Sequence, residues 1–300
     1  MKTSLSRREF LKHTSAAITV AAFAPTLRAA EPAAVPGRKR SLKKGIMYAT
    51  IGFKGSVLEK FKAVKEAGFE GVEPMSHMNQ TEVVGAFEET GLKAASVCCS
   101  THWDKPLSDP DPAVREKGLA GLKLALADAK RYGASSVLLV PGVVNEKVSY
   151  DDCWKRSITE IRKAIPVAED LGVKIAIEDV WNKFITKPEQ AAAFLDEINS
   201  PHVGWHFDVG NMIKFGPPEQ WIPILGKRIL KLHIKEYSKD KDKGFSVQFF
   251  EGDNNWPAIM KALDDIGYSG WGITEQPGSQ TKDAESLKSF SQRLDRVFAS

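Results

Sequence analysis

Five times along this chain an amphipathic helical run stops at a glycine, and a short apolar run begins within a few residues. The glycines are Gly68, Gly91, Gly133, Gly172 and Gly267. The first helical run shows the spacing plainly, with apolar residues at Val57, Leu58, Phe61, Val64 and Ala67. Glycine takes the left-handed conformation that ends a helix at no steric cost, so each of these positions reads as a helix stop. The apolar runs that follow are of strand length. A chain that alternates strand and helix in this way is committed to parallel strands, because each helix returns the chain to start the next strand beside the last.

The spacing predicts strands over 45–50, 69–73, 93–99, 135–140, 173–177, 203–207, 229–234 and 271–274. Helices are expected over 57–67, 81–89, 112–132, 150–171, 188–198, 218–225, 257–266 and 284–298, with a bend at Pro166. Eight such units in about 255 residues match the usual size of a (β/α)₈ barrel, ~250 residues. The expected fold is therefore α/β, a single-domain (β/α)₈ TIM barrel over 44–300. An open doubly wound sheet is the alternative, but no Gly-x-Gly-x-x-Gly follows the first strand, which weakens a dinucleotide-binding reading.

The last four strands share a second feature. Lys174-Ile-Ala-Ile-Glu178, Val203-Gly-Trp-His-Phe-Asp208, Ile229-Leu-Lys-Leu-His233 and Trp271-Gly-Ile-Thr-Glu275 each end on a side chain able to bind a metal. In a (β/α)₈ barrel the chemistry sits at the C-terminal ends of the strands. One acid there is ordinarily a helix cap or a loop solvator. Four metal-competent residues on successive strands point to a divalent-ion site made of Glu178, Asp208, His233 and Glu275. Three carboxylates and one imidazole favour Mn²⁺, Mg²⁺ or Co²⁺, with Zn²⁺ also compatible. Four protein ligands leave one or two positions for substrate oxygens.

The net charge of +4 misleads about partners. Residues 1–30 hold Lys2, Arg7, Arg8, Lys12 and Arg28 against Glu9, and beyond them acids and bases cancel. Nothing past the N-terminus asks for nucleic acid or an anionic membrane. Ser6-Arg-Arg-Glu-Phe-Leu-Lys12, followed by the mild apolar run 16–24, resembles a twin-arginine export signal over 1–30. The run is too short to span a bilayer. Residues 31–43, with Pro32, Pro36 and Gly37, read as a linker. The expected location is periplasmic or extracytoplasmic, with no stable membrane insertion after cleavage. This export route carries folded proteins, so a metal could be loaded beforehand. The cysteines Cys98, Cys99 and Cys153 are odd in number and lack metal-type spacing, which argues against a disulfide framework. Adjacent Cys98 and Cys99 are expected to be buried on opposite faces of one strand.

The segments Ile177-Glu178-Asp-Val-Trp-Asn182, His206-Phe-Asp208-Val-Gly-Asn211, Lys231-Leu-His233-Ile-Lys235-Glu, Glu251-Gly-Asp-Asn-Asn-Trp256 and Gly270-Trp-Gly-Ile-Thr-Glu275 occur in this order. Together they resemble the xylose-isomerase-like TIM barrels, the sugar phosphate isomerases/epimerases, over roughly 44–297. The resemblance implies a metal on Glu178, Asp208, His233 and Glu275. It further implies that Glu178 and Glu275 serve as acid and base on a small carbohydrate, through a metal-stabilised enediolate. A free carboxylate is too weak a base for a C–H beside a carbonyl unless the developing oxyanion is neutralised. Three positions depart from the ketose 3-epimerases of the family. Asn211 stands for a His, Lys239 for an Arg and Phe184 for a Glu, so the metal set transfers better than the substrate contacts. Abasic-site endonucleases share the fold but need several further histidines, and this chain has six in all.

Around the four ligands, His102, Trp103, Glu73, Trp181, Asn211 and Lys235 are expected to bind substrate, and His77 is a further candidate. Glu251 suits a pocket-wall hydrogen bond or a cap, and Lys239 to Lys243 a solvated loop. The expected function is an exported, metal-dependent sugar isomerase or epimerase acting on a free or oxidised sugar, with room for a homo-oligomer. Two alternatives use the same residues: a lyase or hydrolase acting on 3-keto-glycosides by the same proton abstraction, and a metal-dependent sugar-binding protein without turnover.

Overall fold

The structure, a computed structural model, describes residues 40–300. The signal-like segment 1–30 and most of the expected linker lie outside the described residues. The strands are β1 (Lys43–Met47), β2 (Gly71–Glu73), β3 (Lys93–Ala94), β4 (Val97–Cys98), β5 (Ser136–Leu139), β6 (Lys174–Glu178), β7 (Val203–Asp208), β8 (Ile229–Ile234) and β9 (Trp271–Thr274). The helices are α1 (Val57–Glu66), α2 (Gln80–Thr90), α3 (Pro112–Tyr132), α4 (Tyr150–Leu171), α5 (Pro188–Ile198), α6 (Val209–Met212), α7 (Pro218–Leu225), α8 (Trp256–Asp265) and α9 (Ala284–Ala299). The strands form one parallel sheet in the order β3-β2-β1-β9-β8-β7-β6-β5-β4. All five glycines that punctuate the sequence have positive φ. Among the described residues no helix is long and apolar enough to cross a membrane.

The strand expected over 93–99 is where the sheet departs from a plain eightfold pattern. Its first half, β3, pairs with β2, and its second half, β4, pairs with β5. The cause lies on the neighbouring strand. Pro74 has no N–H to give, so the ladder on β2 stops at Glu73. The Ala95 N–H still donates to Val72 O at 2.9 Å, but the Cys98 N–H donates to Pro74 O at 2.9 Å and the Cys99 N–H to Leu138 O at 3.0 Å. One run is thereby handed from one neighbour to the other, and a bridge from Met75 to Cys98 spans the joint. The nine segments make a nearly closed parallel barrel in one domain. The first strand also shifts: β1 starts at Lys43, and Tyr48–Thr50 is a 3-10 turn tied back by Thr50 Oγ1 donating to Met47 O at 2.9 Å.

β9 closes the ring against β1, with Lys43 opposite Trp271 and Ile46 opposite Thr274. The ends of the described chain are fastened beside that seam. Arg40 reaches Asp264 and the carbonyls of Phe298 and Ser300, and Lys44 Nζ reaches Ser291 and Asp295 of α9.

Side chains alternate across each strand, and this alternation positions the site. Ile175, Ile177, Trp205, Phe207, Leu232 and Ile234 face outward and join the core beneath the helices. The inward set is different: Met47, Ala95, Cys98, Leu138 and Ile273 make a small separate cluster. With them lies a buried polar layer of Glu73, Ser96, Ser136, His206, Lys231 and His233. Cys98 and Cys99 fall into the two different clusters, on opposite faces as expected, and all three cysteines are buried and free. α4 continues through Pro166.

Candidate active site

Glu178 and Asp208 are the last residues of β6 and β7, His233 is the penultimate residue of β8, and Glu275 directly follows β9. Their inward positions bring one donor atom from each within 4.8 Å of all the others. The His233 imidazole is the centre of the group. Its Nδ1 lies 2.9 Å from Glu178 Oε1, 3.5 Å from Glu275 Oε2 and 3.9 Å from Asp208 Oδ2. Three carboxylates converging on one nitrogen repel one another unless positive charge lies between them. The chain supplies some of that charge itself, through Lys235 Nζ at 2.5 Å from Glu275 and 3.5 Å from Asp208. The donor set of three carboxylate oxygens and one imidazole nitrogen fits a hard divalent cation.

Asp208 is held more firmly than any sequence signal suggests. Its backbone N–H donates to Asp179, whose Oδ1 also accepts the indole N–H of Trp205 at 2.6 Å. The Asp208 carboxylate in turn accepts the backbone and side-chain amides of Asn211, at 2.9 and 2.8 Å, on the short helix α6. Gly210 makes this possible, because a Cβ there would meet Lys235 Cβ and O at 2.7 Å. Asn211 therefore braces a candidate ligand as well as lining the cavity.

The electrostatics differ among the four. Burial pushes Glu178 up to about 7 and Asp208 up to about 6. Partial burial opposes charge on Glu275, which is about a fifth exposed, but Lys235 and His233 hold its carboxyl below the usual range. Burial opposes charge on His233 as well, yet Glu275 and Glu73 hold it well above the ordinary imidazole value.

Glu73 is the main correction among the expected substrate contacts. It is fully buried and does not line the cavity; it lies behind His233, where its Oε2 accepts from His233 Nε2 at 2.9 Å. With Nε2–H fixed on Glu73, loss of the Nδ1 proton would leave the Nδ1 lone pair for an ion held with Glu178, Asp208 and Glu275. Its inward place at the end of β2 aims it across the barrel interior at β8, away from the mouth. His77 is a second correction, since it is exposed outside the cavity with its backbone N–H on Asp128. His206, inward on β7, packs against His233 at 4.2 Å between ring centroids. Burial holds it well below the ordinary value, and neither ring nitrogen makes a hydrogen bond among the described residues, with Glu73 Oε1 4.0 Å from Nδ1.

The cavity of about 340 Å³ above the ligands is lined by Glu178, Glu275, His102, Trp103, Trp181, Asn211 and Lys235, all anticipated. Met47, Met75, Cys98, Leu138 and Phe245 line it as well and were not. His102 is anchored by Val140, whose N–H donates to its Nδ1 at 3.2 Å, so the neutral ring carries its proton on Nε2. Burial lowers its pKa to about 4, against a smaller opposing pull from Glu275. Phe245 arrives on the loop that follows the exposed Lys239–Lys243 segment and packs against Trp181 and Tyr237. Glu251 is not in the cavity; its carboxylate accepts Gln248 N–H at 3.2 Å in the turn before α8. Buried Glu236 organises that turn by accepting the N–H groups of Phe250 and Asn254 and the indole of Trp256. Phe184, where the epimerase pattern has a Glu, points away from the site into Tyr150, Trp154 and Phe194.

The family model described as xylose isomerase-like TIM barrel matches residues 61–294. The L-ribulose-5-phosphate 3-epimerase UlaE of Salmonella paratyphi A is 25% identical over 248 residues, covering 76% of this chain and 87% of the relative. The structure of 3-keto-D-glucoside 4-epimerase YcjR from E. coli superposes with a TM-score of 0.71 at 21% identity, over 85% of this chain and 98% of that one. The IolI protein with a bound zinc atom superposes with a TM-score of 0.74 at 19% identity, over 86% of this chain and 98% of that one. The chain belongs to the xylose isomerase-like TIM barrel family.

Proposed function

We propose that this member of the xylose isomerase-like TIM barrel family is a divalent-metal-dependent sugar isomerase or epimerase that moves a proton at a carbon beside a carbonyl. One observation carries the reading: two carboxylates, Glu178 and Glu275, enter a single cavity from separate strands and meet at one imidazole. The names of UlaE and YcjR, both epimerases of sugars, agree with it. A divalent ion held by Glu178, Asp208, His233 and Glu275 would supply the positive charge that a developing substrate oxyanion needs. The rest of the chemistry falls to the chain. One glutamate takes the proton from the C–H, and that bond's electron pair passes to the carbonyl as its oxygen gains negative charge. The other glutamate returns a proton to carbon from the opposite side for epimerisation; for isomerisation the proton re-enters at the former carbonyl carbon while the neighbouring hydroxyl gives its proton to the former carbonyl oxygen and becomes the new carbonyl. His102 offers its Nε2–H as a hydrogen-bond donor to a substrate hydroxyl, and Asn211 keeps Asp208 in place.

Incubating the metal-loaded protein in D₂O with ketoses and 3-keto-glycosides tests the reading. Deuterium incorporated at carbon, and lost in both Glu178→Gln and Glu275→Gln, supports it. Aglycone release would assign the elimination reaction instead. Binding without exchange would make this a sugar-binding protein. Export rests on the Arg7-Arg8 segment alone and belongs to the same proposal; a tagged chain recovered from the cytoplasm only would remove it.

A further inference from the structure

We propose that Trp103 and Trp181 form a stacking subsite at the cavity mouth for a second ring joined to the reacting sugar. The substrate class would then be an uncharged glycoside. This rests on the reading of the cavity as a sugar-transforming site and adds to it the part of the substrate that does not react.

The exposed aromatic surface of the described residues carries the inference. Five large apolar side chains are more than about a third exposed, and only two of these are tryptophans. Trp103 is 53% exposed and Trp181 37%, and both line the cavity that holds Glu178 and Glu275. Indole is costly to leave in water and is the side chain best suited to stack on a flat or ring-shaped apolar face. Neither ring is loose. Trp181 donates its Nε1–H to Asn211 O at 2.8 Å and packs against Tyr237 and Phe245, with ring centroids 5.1 and 5.0 Å away. Trp103 stands edge-to-face on His102 at 5.4 Å, and His102 is itself buried and anchored to Val140. Two tryptophans held in place and left partly open to solvent make a preorganised surface on the cavity lining.

The charges of the lining side chains disfavour a phosphorylated second ring. Lys235 is the sole cation among the lining residues, and Glu275 and Asp208 already engage it. His102, the other basic side chain of the lining, is kept neutral by burial. Among the lining side chains, a phosphate at the subsite would meet two glutamates and no cation free of them. Outside that lining, Lys214 Nζ lies 4.1 Å from the Trp181 ring.

Binding can be measured without turnover. Matched methyl and phenyl β-glycosides of several sugars, together with the 6-phosphates of the same sugars, would be titrated calorimetrically into the full metal-loaded protein. In at least one matched pair the phenyl glycoside is expected to bind about tenfold tighter than the methyl glycoside. In Trp103→Ala, shown folded by its unfolding temperature, that ratio falls to within about twofold of unity. A Trp181→Leu variant should reduce it as well. Equal affinity for every phenyl and methyl pair, absence of binding by all of them, an unchanged ratio in both variants, or tighter binding of a phosphate would each overturn the proposal. Deuterium exchange into a free ketose, run alongside, separates the two readings. Exchange without a phenyl preference removes only the subsite, whereas a phenyl preference without exchange removes only the isomerase.

Discussion

Replacing Glu73 by glutamine removes one buried charge and keeps the shape of the side chain. In the native protein this carboxylate accepts the Nε2–H of His233 at 2.9 Å, in a site with no exposure on either side. A hydrogen bond to a charged group contributes about 1.5–3 kcal/mol and one between neutral groups about 0.5–1.5 kcal/mol. The substitution therefore weakens the hold on the imidazole by about 1–2 kcal/mol, which corresponds to roughly a 5- to 30-fold loss in metal affinity. Outer partners of metal-ligating histidines elsewhere cost 10–100-fold when removed, about the same range. The assay is competitive titration of Mn²⁺ or Co²⁺ against a chelator, with thermal unfolding of chelated and metal-loaded protein in parallel. A glutamate that only fills space would lower both unfolding temperatures equally. One that orients His233 lowers the metal-loaded value more. Metal affinity within about twofold of the unsubstituted protein would refute the reasoning.

Metal removal gives a second prediction. At a free metal concentration of about a thousand times Kd, binding adds about 4 kcal/mol, so a chelator should lower the unfolding temperature by ~10 °C; no shift with Mn²⁺, Mg²⁺, Co²⁺ or Zn²⁺ would remove the ion site. His102 gives a third, in pH. Its folded pKa of about 4 lies below the unfolded value of 6.5, so the unfolded chain binds more protons between them. Stability from this group is fully present above 6.5 and is lost as pH falls towards about 4, on the order of 3 kcal/mol in all. Urea midpoints should fall across that window, and His102→Asn should flatten the slope; an equal slope in both proteins would contradict it.

Much of the fold was legible because two periodicities coincide. Glycine stops mark the helix ends, and inward alternation on β6 to β9 places Glu178, Asp208, His233 and Glu275 at one level. What local sequence cannot show is contact across the ring. Glu73 and His233 are 160 positions apart, so nothing near Glu73 says that it faces an imidazole instead of a sugar. Phe245 was hidden for a similar reason. It follows a charged loop that looks fully solvated, and only the bridge between Ser238 and Gly244 turns it back over Trp181. The split of β3 from β4 depends on the missing N–H of Pro74 on a neighbouring strand, a partner that no pattern within 93–99 can reveal. Phe184 was informative in the opposite sense. Its departure from the epimerase pattern concerns packing beneath helices, because the side chain never reaches the cavity.

The seam between β1 and β9 also sets an order of events for a newly made chain. Its two strands come from opposite ends of the barrel sequence, so their pairing closes the longest loop in the domain. Closing such a loop carries an entropic cost that grows slowly with length, and contacts this distant in sequence are the slow ones to form. Glu275 follows β9 directly, with its N–H still donating to Ile234 O. Until β9 docks, the imidazole on β8 lacks one of its three facing carboxylates. Completion of the ring therefore brings the last acid with it, and a nascent chain still short of Trp271 can assemble neither.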